Sequence, residues 1–309
     1  MQHILVTGAT GFIGSNLVRK LVQEQMKVTA LVRDKLKTEI EFSELKEKEN
    51  LFFFQWNHSV FALAEYMKEN KVDCVVHLAT KYITQSTAED IDELVEGNIV
   101  FGMKVLEAMK LANIKNFINS STSWQHYQNE IYCPTNVYAA TKQAFEDILK
   151  YYTNAEQIRA IVLEIYDTYG AFDKRNKLLN AWKKLVATGE GMALSPGEQS
   201  LDYVYIEDVL SGILQAINIL NELPVEANGY ERKYALSTDE TYTLKEIAQL
   251  FEEVYEKKLS ITWGGKPYRE REVMEPYRGL ERLPGWNTNY DLRNGLKEMK
   301  QKEQGKAVW

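Results

Sequence analysis

The stretch Thr7-Gly8-Ala9-Thr10-Gly11-Phe12-Ile13-Gly14-Ser15-Asn16-Leu17 decides how this chain is read. It follows an apolar run, His3-Ile4-Leu5-Val6, with the character of a first β-strand. It leads into Leu17-Val18-Arg19-Lys20-Leu21-Val22, whose apolar spacing is that of a helix. A glycine-rich turn between strand and helix lets backbone approach a pyrophosphate, and the helix N-terminus turns unpaired N–H donors toward it. The spacing Gly8-x-x-Gly11-x-x-Gly14 is a variant of the dinucleotide fingerprint. It predicts a bound NAD or NADP, touched by Gly8, Thr10, Gly11, Phe12, Ile13 and Gly14.

Working outward, the segments that follow alternate between strand and helix. Strands are predicted at Lys27–Val32, Leu51–Phe54, Asp73–Leu78, Lys115–Asn119 and Arg159–Ile165. Helices fall at Val60–Asn70, Ile91–Ala112 and Val137–Thr153, and the charged segment Asp34–Asn50 reads as a surface helix or loop. Such alternation means parallel βαβ units with right-handed crossovers, an α/β doubly wound sheet of Rossmann type. All six prolines lie at or beyond Pro134. After Gly170 the pattern changes to helices (Lys177–Thr188, Ile206–Leu220, Thr243–Lys257, Tyr290–Gln301) separated by short strands at Tyr203–Tyr205, Lys233–Leu236 and Leu259–Trp263. The expected organisation is a dinucleotide-binding domain over 1–170 and a smaller mixed α/β substrate lobe over 171–309, interleaved as one body. A ligand belongs in the cleft between them, outside the strand ends.

Composition narrows the classes of function. A chain of 309 residues can bury a full core. A net charge of -7 disfavours a nucleic-acid surface, which needs a basic excess. No stretch approaches a membrane span, and the opening strand predicts no signal peptide. The two cysteines, Cys74 in an apolar run and Cys133 in a loop, lack metal-ligand spacing and fit a reducing, cytoplasmic setting.

The end of the second strand bears on which dinucleotide is bound. NAD sites place a carboxylate there to meet the ribose 2′-hydroxyl, whereas NADP sites place an arginine. The chain reads Ala30-Leu31-Val32-Arg33-Asp34, with Val32 at the carboxylate position and Arg33 next to it. Arg33 is the expected partner of a 2′-phosphate. A shift of one position would let Asp34 bind NAD instead.

Catalytic residues follow the fifth strand. In Tyr138-Ala139-Ala140-Thr141-Lys142 the phenol and the ammonium lie four apart on one helix face. A nearby ammonium favours the phenolate, bringing a group with an ordinary pKa near 10 toward neutrality. At the strand's end, Asn119-Ser120-Ser121-Thr122-Ser123 supplies hydroxyls able to bond a substrate oxygen.

These residues, together with His77-Leu78-Ala79-Thr80, Asn98, Tyr169-Gly170, Gly197-x-Gln199, Asp202-Tyr203-Val204 and Pro284-Gly285-Trp286, resemble the extended short-chain dehydrogenase/reductases, the nucleotide-sugar epimerases, dehydratases and reductases, along the full length. Aligned with UDP-galactose 4-epimerase, the resemblance gives Thr122 the catalytic Ser/Thr position and leaves Ser120 and Ser121 to support the nicotinamide or to end the strand. It places Asn57 near the adenine, where a simple turn-former is the competing reading. Leu78, Ala79 and Thr80 would line the cofactor, with Lys81 reaching phosphate or substrate, while His77 reads as a packed strand-end histidine. It also implies a homodimer through the helices at 91–112 and 137–153.

Departures from the family pattern narrow the reaction. Dehydratases carry an Asp-Glu pair after the catalytic Thr, and here Ser123-Trp124 follows. The short segment from Thr122 to Tyr138, Ser195-Pro196-Gly197-Glu198-Gln199 and Arg269-x-x-Glu272-x-Met274 are similar to the CDP-abequose and CDP-paratose synthases, which imply reduction of a 4-keto nucleotide deoxysugar by NADPH. The family arginine before Asp202 is Leu201, and the usual Arg-x-x-Asn-x-Tyr-Gly of the sixth strand is Glu164-Ile165-Tyr166-Asp167-Thr168-Tyr169-Gly170. Asp167 beside a pyrophosphate would be repelled, so compensating cations are sought at Lys174, Arg175, Lys177 and Arg269. Trp124, Tyr127 and Tyr166 are candidates to stack on sugar or base. The competing readings are an NAD-dependent nucleotide-sugar epimerase and a non-catalytic dinucleotide-binding regulator. No metal is expected.

Overall fold

A computed structural model describes residues 1–305 apart from Val225 and the Lys35 side chain. The glycine turn joins β1 (His3–Thr7) to α1 (Phe12–Gln23). β2 (Lys27–Val32), α2 (Lys35–Glu41), β3 (Leu51–Gln55), α3 (Val60–Glu69) and β4 (Cys74–His77) follow. The charged segment read as helix or loop is thus α2 followed by a single 3-10 turn at Ser43–Leu45. The long helix foreseen over 91–112 is α4 (Ile91–Val95) and α5 (Phe101–Ala112), joined through a π-helical turn at Glu96–Val100. β5 (Asn116–Thr122), α6 (Val137–Glu156) and β6 (Arg159–Ile165) complete the first half. Asn136 caps α6 by accepting the Ala139 N–H at 2.9 Å, and Gln157 ends it in the left-handed region at φ 60°.

The second half contributes β7 (Asp167–Tyr169), α7 (Leu178–Thr188), β8 (Gly191–Ala193), β9 (Ser200–Leu201), β10 (Tyr203–Tyr205) and α8 (Ile206–Glu222). It ends with β11 (Glu231–Leu236), β12 (Tyr242–Thr243), α9 (Leu244–Tyr255), β13 (Ser260–Thr262) and α10 (Leu292–Gln304). The short strands β7, β8, β9 and β12 were not foreseen; at two or three residues they are too short to show periodicity.

The main sheet runs β3-β2-β1-β4-β5-β6-β11, and every neighbouring pair is parallel. The strand at 233–236 was expected in the smaller lobe. Instead it is the seventh strand of this sheet, with Tyr234 opposite Leu163 and Leu236 opposite Ile165. The strand order reverses between β1 and β4, the crevice where such sheets bind ligands.

Alternation along β1 feeds two cores. Ile4 and Val6 pack with α1 and α8, while Leu5 joins the face covered by α3, α5 and α6. The Pro284-Gly285-Trp286 segment docks on α8, where the Trp286 indole N–H donates to the Asp208 carbonyl at 3.0 Å. The Asp208 carboxylate is fully buried and accepts the backbone N–H groups of Asn289 at 2.9 Å and Tyr290 at 3.1 Å. Asp208→Ala strands those donors, so chemical denaturation should show a loss of roughly 2–4 kcal/mol, while Asp208→Asn should retain part of it.

Candidate active site

The fingerprint glycines are required by close approach. Gly8 has φ +67°, and a Cβ there would lie 2.6 Å from the Ala79 nitrogen. A Cβ on Gly14 would overlap the Gly8 carbonyl oxygen. The Gly11 N–H donates to that same carbonyl at 2.9 Å, and the first turn of α1 carries no acidic side chain. Backbone bare of side chains, at a helix N-terminus without an opposing charge, fits a pyrophosphate. Thr10, Phe12 and Ile13 flank this turn, and Leu78 and Ala79 face it from β4. The Ala79 N–H donates to Thr7 Oγ1 at 3.2 Å.

At the end of β2, Val32 is buried and Arg33 is exposed. Asp34 is committed elsewhere: its carboxylate caps α2 by accepting the Lys37 N–H at 3.1 Å. Asn57 is exposed and accepts the Ser59 N–H at 3.1 Å, the bonding of a turn-former.

The end of β5 and the first turns of α6 bring the reactive groups together. Thr122, at the end of β5, is 8% exposed, Tyr138 on α6 is 7% and Lys142 is 1%. Burial raises the Tyr138 phenol well above its ordinary value, with the neighbouring Tyr82 adding to the rise and the hydroxyls of Thr80 and Thr122 opposing it. Burial also lowers Lys142, to about 8, with Glu146 opposing and Lys233 assisting the shift. Burial thus works against the phenolate that Lys142 would favour, while Lys142, at about 8, keeps most of its charge at neutral pH.

A buried frame holds this arrangement. Asn98, in the π-helical turn, accepts from the Lys81 N–H at 2.7 Å and the Thr80 hydroxyl at 2.9 Å, and donates to Thr141 at 2.9 Å. It thereby ties the Thr80 loop to the helix carrying Tyr138. Ser120 donates to the His77 carbonyl at 3.1 Å. His77 hydrogen-bonds Thr7 at 2.9 Å and stacks against Phe117, the packed histidine the sequence suggested.

In front of Tyr138 stands an aromatic and cationic wall. Tyr82, not singled out from sequence, meets the Tyr138 ring edge-on at 5.1 Å and Trp124 at 5.7 Å. Lys177 sits 4.7 Å over Tyr82 and pairs with Asp167 at 3.4 Å, so the aspartate carries its own counter-charge. Arg269 lies 5.5 Å over Trp124 while bonding Glu272 at 3.1 Å.

Other candidates are engaged away from this wall. Lys81 pairs with Glu93, and Arg175 is held by Asp173 and the Thr168 carbonyl. Lys174 reaches Glu41 at 3.7 Å. Tyr127 lies beneath Arg271, and buried Tyr166 donates its phenol proton to the Tyr277 carbonyl. Among the described residues there is no cluster suited to a metal ion and no helix long and apolar enough to cross a membrane.

The chain belongs to the NAD dependent epimerase/dehydratase family, whose model matches residues 4–228. It is accordingly an enzyme of the NAD(P)-dependent oxidoreductase type. It is 30% identical over 290 residues to the CDP-abequose synthase of Yersinia pseudotuberculosis, spanning 90% of this chain and 94% of that one. The CDP-abequose synthase of Salmonella muenchen is 27% identical over 307 residues, spanning 96% and 97%. In fold, the chain matches UDP-glucose 4-epimerase from Stenotrophomonas maltophila with bound NAD, at a TM-score of 0.85 and 18% identity, covering 99% of both chains. It also matches UDP-glucuronic acid 4-epimerase from Bacillus cereus with UDP-glucuronic acid and NAD, at 0.82 and 22%, covering 97% of this chain and 99% of that one.

Burial depresses His77 from 6.5 to about 3, with the Lys142 charge adding to the effect. Between those values the unfolded chain binds a proton that the native state refuses. The stabilisation is thus complete above pH 6.5 and is lost on acidification, at a limiting slope of about 1.4 kcal/mol per pH unit. His77→Gln should flatten the pH dependence of unfolding free energy across this window. An unchanged slope would contradict a neutral, buried imidazole.

Proposed function

We propose that this enzyme reduces the 4-keto group of a nucleotide-activated deoxysugar, using NADP. The observation carrying the reading is the buried set of Thr122, Tyr138 and Lys142, with Trp124 where a dehydratase would carry a carboxylate. The relationship to CDP-abequose synthases supports the same substrate class. A bound nicotinamide supplies a hydride to the ketone carbon. Tyr138 passes its phenolic proton to the carbonyl oxygen, completing the alcohol, and regains a proton from solvent. Thr122 donates a hydrogen bond to that oxygen, and Lys142 holds the ribose beside it.

We assign the cofactor to Gly8, Thr10, Gly11, Phe12, Ile13, Gly14, Arg33, Asn57, Leu78, Ala79, Thr80 and Ser120 in the first domain, residues 1–170. The substrate is assigned to the lobe at 171–309, with Trp124, Asp167, Lys177 and Arg269 around the sugar nucleotide and Lys81 and Tyr166 at its margin. Asp34 is held as a helix cap, leaving Arg33 as the group able to meet a 2′-phosphate. Two free cysteines suit a cytoplasmic enzyme.

A second reading, an NAD-dependent nucleotide-sugar epimerase, draws on the solved 4-epimerases of the same fold.

Titration by nicotinamide fluorescence should show NADPH binding more tightly than NADH. Arg33→Ala should weaken NADPH roughly 10- to 100-fold and leave NADH unaltered. With a 4-keto nucleotide sugar, Tyr138→Phe should lower turnover by roughly 10³-fold without loss of NADPH binding. Tightly retained NAD in the purified protein, or preference for NADH, would move the epimerase to first place.

The exposed apolar side chains Ile91, Val95, Met103 and Leu111 on α4 and α5, with Val137 and Tyr151 on α6, support a homodimer through this face. Sedimentation should find a dimer that Val95→Glu with Tyr151→Glu converts to monomer.

A further inference from the structure

Behind the strand end that carries Thr122 lies a buried set of charges that the proposed reaction does not use. Glu146 follows Lys142 by one helical turn and is 7% exposed. One of its oxygens accepts from the Ser121 hydroxyl and from Gln125 Nε2 at 3.0 Å. The other accepts from Lys233 Nζ at 3.0 Å. Lys233 enters from β11 and also donates to Gln125 Oε1. It pairs at 3.3 Å with the fully buried Glu164, which lies 2.8 Å from His126 Nε2. The cation thus reaches both carboxylates from β11, the strand beside the one that carries Glu164.

The titratable groups facing Lys142 are few. Tyr138 and Glu146 lie one turn to either side on its own helix, His77 approaches from β4 and Lys233 from β11. The π-helical turn presents only uncharged Asn98 to this helix, on Thr141. His77 is neutral, so the fields acting on the ammonium come from one carboxylate and one lysine.

We propose that Glu146 and Lys233 are a positioning pair for the catalytic centre: Glu146 fixes Ser121 and Gln125 on either side of Thr122, and Lys233 holds Glu146 in place one helical turn from Lys142. A carboxylate and a cation so close to Lys142 act on its ammonium with opposite sign. Removing Glu146 takes away the carboxylate that favours the ammonium, whereas removing Lys233 takes away the cation that disfavours it. The two changes therefore act on Lys142 in opposite directions, which no general loosening of the core would do. The proposal rests on the reading of Lys142 as a functional group, but its titration is measurable without substrate.

The experiment is a pH titration of the ¹³C-lysine-labelled full-length enzyme by NMR. The Lys142 resonance is assigned by its loss in Lys142→Arg. The expected midpoint is near 8 in the unaltered enzyme. Glu146→Gln should lower it by roughly one unit, Lys233→Met should raise it by a similar amount, and Lys233→Arg should restore it. Glu146→Gln preserves shape, so it decides the matter even if Lys233→Met does not fold. A Lys142 midpoint unmoved by Glu146→Gln, or moved the same way by both neutralising variants, overturns the proposal. Failure to turn over a 4-keto nucleotide sugar with a normal set of midpoints would instead overturn the functional reading alone.

Discussion

The structure depends first on how closely Gly14 passes the Gly8 carbonyl. That approach leaves no room for a side chain on Gly14, and it seats α1 directly beyond the end of β1. Gly8 in turn abuts the backbone of Leu78 and Ala79, fixing β4 beside β1 at the crevice where the strand order reverses. The surroundings of a dinucleotide are thus set by backbone. Specificity is left to the few side chains that reach the rim, Arg33 foremost among them.

Burial governs the second tier. The phenol of Tyr138 and the ammonium of Lys142, placed one turn apart, both lose their solvent inside this fold, which raises the first and lowers the second. The wall of Tyr82, Trp124, Lys177 and Arg269 covers the same site from the other side. There Asp167 is neutralised by Lys177, which removes the repulsion that a lone carboxylate would offer to a phosphorylated ligand.

Much of this was legible in the sequence because its signals are local. The apolar runs of β1 through β6, the glycine spacing and the four-residue step from Tyr138 to Lys142 each report on a few neighbouring residues. What was missed is long-range. Nothing around Lys233 says that its strand pairs with Arg159–Ile165 rather than with the smaller lobe, because a parallel partner is chosen through a distant crossover. Asp34 could be seen as a possible ribose ligand, but only the start of α2 shows it serving as a cap. The bond from Tyr166 to Tyr277 likewise joins segments far apart in the chain. Glu146 was visible in principle, one turn beyond Lys142, yet its partners come from three other elements.

The late arrival of β11 ties the order of synthesis to the chemistry. A nascent chain that ends near residue 170 already contains Glu146, Glu164 and His126, but not the lysine that lies between the two carboxylates. Its sheet also ends at β6, an open parallel edge that the seventh strand later closes. Two carboxylates shut into a core without their cation would carry a heavy desolvation cost. The polar interior of the first half closes only when a strand made some seventy residues later slides in along β6 and brings the missing positive charge with it.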